Sequence, residues 1–324
     1  MADWDAITAE MRAAGSPDAI RRRYAAAVRE QRGRPLLLYV TDWIYLDRPP
    51  ANSRMVNYAD ADALTEVLAG TSGDKLDVLI QSPGGLAEAA ESIVHFLRRR
   101  FSDIAFIVPT VSKSAATMLA LSGNVLLMDD DAELGPIDPQ VQFAVPGGAS
   151  IAVGAQEVIA QFNRVQTELK KNPQAMAAWL PTLNQYTPGL LERCQEASRL
   201  SETLVGEWME CYMFAGAHRG KARAVARALN NHTRWHSHSR MIPPDKLASL
   251  GVNVCLLSAE PTLRSLIRDA MVAVNASFLS TTAFKIVECG DTARIWQAQP
   301  PGMQALRPQF PRPMPPNLPQ LPTR

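Results

Sequence analysis

The chain has 324 residues, with 33 Lys and Arg against 32 Asp and Glu, a formal net charge of +1 and a hydrophobic content of 47%. That balance leaves no electrostatic footprint for nucleic acid or an anionic membrane, and the length suffices for one large or two modest domains with a substantial core. No apolar run approaches the ~20 residues needed to cross a bilayer, and Met1 to Gly15 carries acidic residues where a signal peptide would be basic and then apolar, so a cytoplasmic protein is expected.

Residues 1–33 are predicted to form an N-terminal helix of mixed polarity, ended by Gly33 and Pro35. Leu36 to Val40 reads as a strand and Asp47 to Asn57 as a loop, and Tyr58 to Leu68 as a helix with Asn57 at its N-cap. Leu76 to Ile80 and Ile104 to Val108 are short apolar runs of the kind that buried parallel strands show, with a helical pattern between them. That helix carries Leu86, Ala90, Ile93 and Leu97 at spacings of four, three and four, which predicts one apolar face against the sheet. Val125 to Met128 is a further strand-like run. Strands alternating with helices predict an α/β core of βαβ units with a largely parallel sheet and right-handed crossovers.

Beyond Gln140 the pattern changes. Val145 to Gly154 suits a hairpin or lid, Gln156 to Lys171 a helix, and Asn172 to Pro188 an irregular link. Helical stretches follow at Leu190 to Phe214, Gly220 to Leu229, Pro243 to Ala248 and Leu263 to Leu279, with a short strand at Phe284 to Val287. From Pro300 the last 25 residues hold nine prolines, so residues 299–324 are expected to be a disordered tail, ordered only against a partner that reads polyproline. Cys194, Cys211, Cys255 and Cys289 are widely spaced without a CxxC pair and read as reduced thiols in packing roles.

Chemistry concentrates between Leu79 and Gln140. The first apolar run ends in Ser82, Pro83, Gly84 and Gly85, whose glycines permit positive φ and let backbone N–H groups approach a ligand. The second leads to Ser114, followed by the small apolar helix Ala115 to Leu121. A hydroxyl at a helix start opposite a glycine turn is what acyl transfer needs: Ser114 as nucleophile, with Gly85 and Ala115 donating their N–H groups to an oxyanion. The plainer alternatives are a helix N-cap for Ser114 and an ordinary tight turn for the glycines.

These motifs carry a family resemblance. SPGG before a helix, SAATMLALSGN and ELGPIDPQ resemble the ClpP/crotonase superfamily, and most closely the serine dehydrogenase proteinase family, which is similar to signal peptide peptidase A. RRRYAAAVREQRGRPLLLYVTDWI and HSRMIPPDKLASLGV resemble that family's flanking stretches, so the likeness covers roughly residues 20–290. It implies a ClpP/crotonase-like serine protease domain over 34–290, with helical additions after 155, and a peptide or protein substrate cleaved through a Ser114 acyl-enzyme. It also implies assembly into a homo-oligomer. In the Clp-type triad a histidine follows the serine by about one strand and turn, whereas here that region reads GPIDPQ. The resemblance therefore points to a Ser–Lys dyad. Lys170 is the first candidate for the base and Lys171 the second, with a solvated helix end as the alternative; Lys113 should point away from Ser114.

His236 and His238 have a metal-like spacing but no Cys or carboxylate pattern beside them, so no metal is expected, and His238 is read as capping or packing. No P-loop or Rossmann glycine pattern is present, so no nucleotide cofactor is expected. Three function classes follow: an SppA-like serine peptidase, a crotonase-like acyl-CoA enzyme, and a non-catalytic binding or scaffold protein of the same fold.

Overall fold

The computed structural model describes residues 4–43, 51–144, 150–216 and 219–298. Within these, the N-terminal stretch is two helices rather than one, α1 (Trp4–Ala14) and α2 (Pro17–Arg32). Gly15 sits at φ +63°, Ser16 caps α2 by accepting from the Ala19 N–H, and Pro17 occupies its first turn. Proline at that point lacks the N–H that a continuous helix would need, so the chain must restart there.

Then come β1 (Leu36–Thr41), α3 (Ala51–Arg54), α4 (Tyr58–Val67), β2 (Lys75–Gln81), α5 (Ala87–Arg98), β3 (Asp103–Val108), β4 (Val111–Ser112), α6 (Ala115–Leu121) and β5 (Val125–Met128). Next are β6 (Glu133–Leu134), β7 (Gln140–Ala144), β8 (Ser150–Gly154), α7 (Ala155–Lys171), α8 (Met176–Leu183), α9 (Leu190–Cys211), α10 (Arg219–Asn230) and α11 (His232–Trp235). The last described elements are α12 (Pro244–Ser249), β9 (Val254–Leu256), α13 (Pro261–Ser280), β10 (Ala283–Cys289) and β11 (Thr292–Gln297).

Seven strands form the main sheet in the order β11-β10-β1-β2-β3-β5-β9. The run from β1 to β9 is parallel, and β10 and β11 add an antiparallel edge. The fold class is therefore α/β with a mostly parallel sheet. Alternation along each strand divides two cores: Leu37, Tyr39, Val78, Ile80, Ile104 and Phe106 face α4, α5, α6, α9 and α10, while Leu38, Val40, Leu79 and Ile107 face α2 and α13. Asp77 falls on the second face, and its buried carboxylate is held at 2.6 Å by Arg32 Nε and at 2.8 Å by Arg34 Nε. Lys285 and Asp60 form a fully buried pair at 2.9 Å, with Tyr39 donating to Asp60 at 2.6 Å.

Two further expectations change. The stretch predicted as an irregular link contains α8, a helix with no buried residue and with Pro181 inside it, the residue type that argues against a helix in sequence. Leu86 precedes α5 instead of joining its apolar face and is half exposed, while Ala90, Ile93 and Leu97 are buried as predicted. The Val145 to Gly154 stretch contributes β8, the second strand of an antiparallel hairpin with β7. The proline-rich tail from Pro300 lies outside the described residues. No helix among the described residues is long and apolar enough to cross a membrane.

Candidate active site

The parallel strands β2 and β3 end at the same edge, and two short segments continue beyond them. Ser82 bridges Ser112 in parallel, with Ser82 N–H donating to Val111 O and Lys113 N–H donating to Ser82 O. This brings the Pro83–Gly84–Gly85 turn against the start of α6. Gly84 has φ +95°, and a Cβ there would lie 2.5 Å from Lys113 O, 2.7 Å from Ser114 Cβ and 3.1 Å from Ala115 N. Only glycine fits so close to the backbone on both sides of Ser114.

Gly85 faces the other way. A Cβ there would meet Val56 O at 2.3 Å and Val56 N at 2.4 Å, because Val56 forms a strand-like bridge with Gly85. Val56 N–H donates to Gly84 O at 2.7 Å, and Leu86 N–H donates to Val56 O at 3.0 Å. A trans peptide sets its C=O and N–H on opposite sides, so the Gly85 N–H points away from Val56. Among the described residues neither it nor the Ala115 N–H, at the first helical position of α6, has a hydrogen-bond acceptor.

Ser114 is at φ +50°, ψ −121°, and with His236 it is one of two non-glycine residues at positive φ among the described residues. Such a conformation costs on the order of 1–3 kcal/mol and persists only where the surroundings enforce it. The hydroxyl makes no capping hydrogen bond. Ser114 is also the one residue between Val111 and Gly123 that is not buried. A serine on a strained strand-to-helix turn, half-buried while its neighbours are buried, is the arrangement of a nucleophile elbow.

Lysine does not complete this arrangement among the described residues. Lys113 points away from Ser114, as expected, and its buried ammonium lies 2.6 Å from Glu133 Oε1 and 3.3 Å from Leu134 O. Lys170, predicted as the base, is exposed in the last turn of α7 and has no contact with Ser114. Its amphipathic helix packs against α9 and β8, which leaves its charged end in solvent.

A different pair lies in the segments fastened to α6. Lys113 Nζ also approaches Arg240 O at 3.5 Å, and Leu134 and Ile242 exchange backbone hydrogen bonds of 3.1 and 3.0 Å. Thr117 of α6 donates to Ser112 O and accepts from the Gly135 N–H. These contacts fasten two segments, 133–138 and 238–242, next to the start of α6. Across them, the buried Asp138 carboxylate meets His238 Nδ1 at 3.0 Å through Oδ1 and His232 Nδ1 at 3.0 Å through Oδ2. A carboxylate can only accept, so each Nδ1 carries the proton. His238 is then left with an Nε2 lone pair that no described residue occupies. His238 was read from sequence as packing or capping, and Asp138, although inside the ELGPIDPQ motif, was given no role because its partners lie 94 and 100 residues away.

A strained, half-buried serine beside two N–H groups without acceptors has the local geometry that acyl transfer requires. Residues 52–157 match the family model described as ClpP-like SDH-type serine proteinase. Over this segment the chain is similar to the ClpP-like serine proteinases, the family its motifs resemble. Two uncharacterized proteins of Methanocaldococcus jannaschii are similar to it. One is 33% identical over 95 residues, covering 29% of this chain and 33% of the relative. The other is 30% identical over 89 residues, covering 27% of this chain and 30% of the relative. The matched region thus spans about a third of the length of these relatives. Among solved structures, a mutant of the 1510-N membrane-bound stomatin-specific protease in complex with a substrate peptide has a TM-score of 0.37 at 12% identity, covering 75% of this chain and 83% of the other. A ClpP1 mutant from Listeria monocytogenes has a TM-score of 0.32 at 12% identity, covering 66% of this chain and 96% of the other.

Proposed function

We propose that this chain is a serine-type peptidase that cleaves peptide bonds through a Ser114 acyl-enzyme. The observation that carries this reading is the Ser114 backbone at φ +50°, ψ −121°, which a binding or scaffold protein of this fold would have no reason to maintain. The Ser114 hydroxyl attacks the carbonyl carbon of the scissile bond while His238 Nε2 takes its proton. The Gly85 and Ala115 N–H groups receive the negative charge that forms on the carbonyl oxygen. His238 then gives the proton to the leaving amine, the C–N bond breaks, and water hydrolyses the ester by the same steps in reverse order of roles. Asp138 holds His238 in the tautomer that leaves Nε2 free. This histidine replaces the lysine of a Ser–Lys dyad, for which Lys170 is in the wrong surroundings: a lysine works as a base only when burial or a neighbouring cation lowers its pKa.

A fluorophosphonate probe tests the reading. It should label the wild-type protein at Ser114, fail on S114A, and label H238Q at least about 100-fold more slowly. Equal labelling of S114A would overturn it.

We also propose a closed homo-oligomer. Support comes from α8, where Met176 and Leu180 are each about half exposed and no residue is buried. Light scattering should give a mass of at least two chains at micromolar concentration; a monomer mass would count against it.

A further inference from the structure

The buried pair of Lys285 and Asp60 does more than fill the core. Lys285 on β10 and Tyr39 on β1 face the layer of α4, where Asp60 stands in the first turn. All three ammonium N–H bonds of Lys285 have acceptors: Asp60 Oδ1 at 2.9 Å, Asp60 Oδ2 at 3.0 Å and Met55 O at 2.7 Å. Asp60 Oδ2 also accepts from the Tyr39 hydroxyl at 2.6 Å and from the Asn57 N–H at 2.9 Å. An acidic residue at that point of α4 needs neither burial nor a lysine to accept from the N-cap. Two opposite charges taken out of water gain little stability over well-packed apolar residues, so their place here points to what they hold.

The two main-chain groups they hold, Met55 O and Asn57 N–H, flank Val56. Val56 in turn makes the two bonds that flank Gly85: its N–H donates to Gly84 O at 2.7 Å, and its O accepts from the Leu86 N–H at 3.0 Å. Residues 55–57 lie between the single turn of α3 and the start of α4, outside any named strand, and Val56 meets Gly85 through an isolated bridge. Two hydrogen bonds set the spacing of such a segment but let it twist. Ties to one rigid cluster on both sides of Val56 remove that freedom, and with it the freedom of the Gly85 peptide.

We propose that Lys285, Asp60 and Tyr39 are positioning residues of this site: through Val56 they set the direction of the Gly85 N–H, the oxyanion donor. The proposal rests on the reading of Gly85 as that donor.

The experiment compares K285M with R21M. The latter breaks a buried ion pair on the opposite face of the same strand, where Arg21 Nη2 lies 2.6 Å from Glu288 Oε2. Fluorophosphonate labelling of Ser114 is measured against probe concentration, at a temperature where both variants are folded by circular dichroism, to separate probe affinity from maximum rate. In K285M the maximum rate should fall about 10- to 100-fold, because a displaced N–H no longer meets the phosphoryl oxygen, while the affinity stays within about threefold. R21M should keep both. A purely structural role would leave folded K285M labelled at the wild-type rate; that result, or an equal fall in R21M, overturns the proposal. Amide hydrogen exchange in the full-length protein gives a second readout. The Val56 and Leu86 N–H groups should lose at least about 10-fold in protection in K285M relative to R21M, and equal protection overturns the proposal. If the wild type is not labelled, the peptidase reading fails, while the exchange still decides whether the cluster holds the Gly85 turn. If K285M does not fold, Y39F/D60L/K285M, which leaves no charge of the cluster buried, takes its place with the same two expectations.

Discussion

Gly84→Ala separates the demands of a turn from the demands of a site. The new methyl group would lie 2.5 Å from Lys113 O and 2.7 Å from Ser114 Cβ, in a backbone at φ +95°. Placing an L side chain at such a φ costs about 1–2 kcal/mol. The clash adds about 1–3 kcal/mol, because the atoms met are backbone or Cβ and no rotamer change relieves them. The control is Gly73→Ala, at φ +89° with nothing within 4 Å of the added Cβ, which should cost only the first of these amounts. Urea titrations of the two variants should therefore differ by about 1–3 kcal/mol, with G84A the weaker. To accept the methyl group, Ser114 or Ala115 N must move by several tenths of an ångström, and misplacements of about 1 Å cost on the order of 100-fold in rate. Fluorophosphonate labelling of Ser114 should fall roughly 10- to 100-fold in G84A and stay near the wild-type rate in G73A. A G84A protein as stable as G73A and labelled at the wild-type rate would refute the claim that Gly84 exists to let the turn touch the nucleophile.

Two further perturbations test how the scaffold is held. Burial alone would raise the Asp129 carboxyl, but hydrogen bonds from Arg264 and Arg268 outweigh it and hold that carboxyl well below the usual carboxylate range. Its contribution is thus complete above the ordinary value of about 3.9 and is lost as the pH falls toward the lower folded-state value. Thermal melts of D129N should lose less stability than the wild type between about pH 4 and pH 2, and parallel losses would show that α13 is not fastened through Asp129. K285M removes one partner of the buried Asp60 pair and leaves the Met55 carbonyl without its 2.7 Å donor. It should cost about 3–5 kcal/mol in a urea titration, and a loss below about 1 kcal/mol would mean that Asp60 finds another partner or a proton without strain.

Much of the scaffold was written locally. β1, β2 and β3 are buried on both faces, their successive side chains joining opposite layers, and LLLYV and the apolar residues of LDVLI show this in sequence as near-continuous apolar runs. The Gly84–Gly85 pair and Ser114 stood out for the same reason: positive φ and a helix start are properties of a few consecutive residues. The break between α1 and α2 was equally local, in Gly15, Ser16 and Pro17. The division of labour between the two glycines was not. Gly84 must lack a side chain because of Ser114, and Gly85 because of Val56, and those neighbours come from other segments of the chain.

Sequence alone did not single out the proposed base, although Asp138 lies in ELGPIDPQ and His238 opens HSRMIPPDKLASLGV. Asp138 meets His232 and His238 across separations of 94 and 100 residues, and no periodicity links such positions. Lys170 had the right chemistry, but its helix packs elsewhere and leaves it in water. Local sequence determines which residues are buried in a strand or free at a helix start, because those depend on neighbours a few positions away. Which carboxylate reaches which imidazole depends on how α6, the 133–138 segment and the 238–242 segment pack together, and only the tertiary structure decides that.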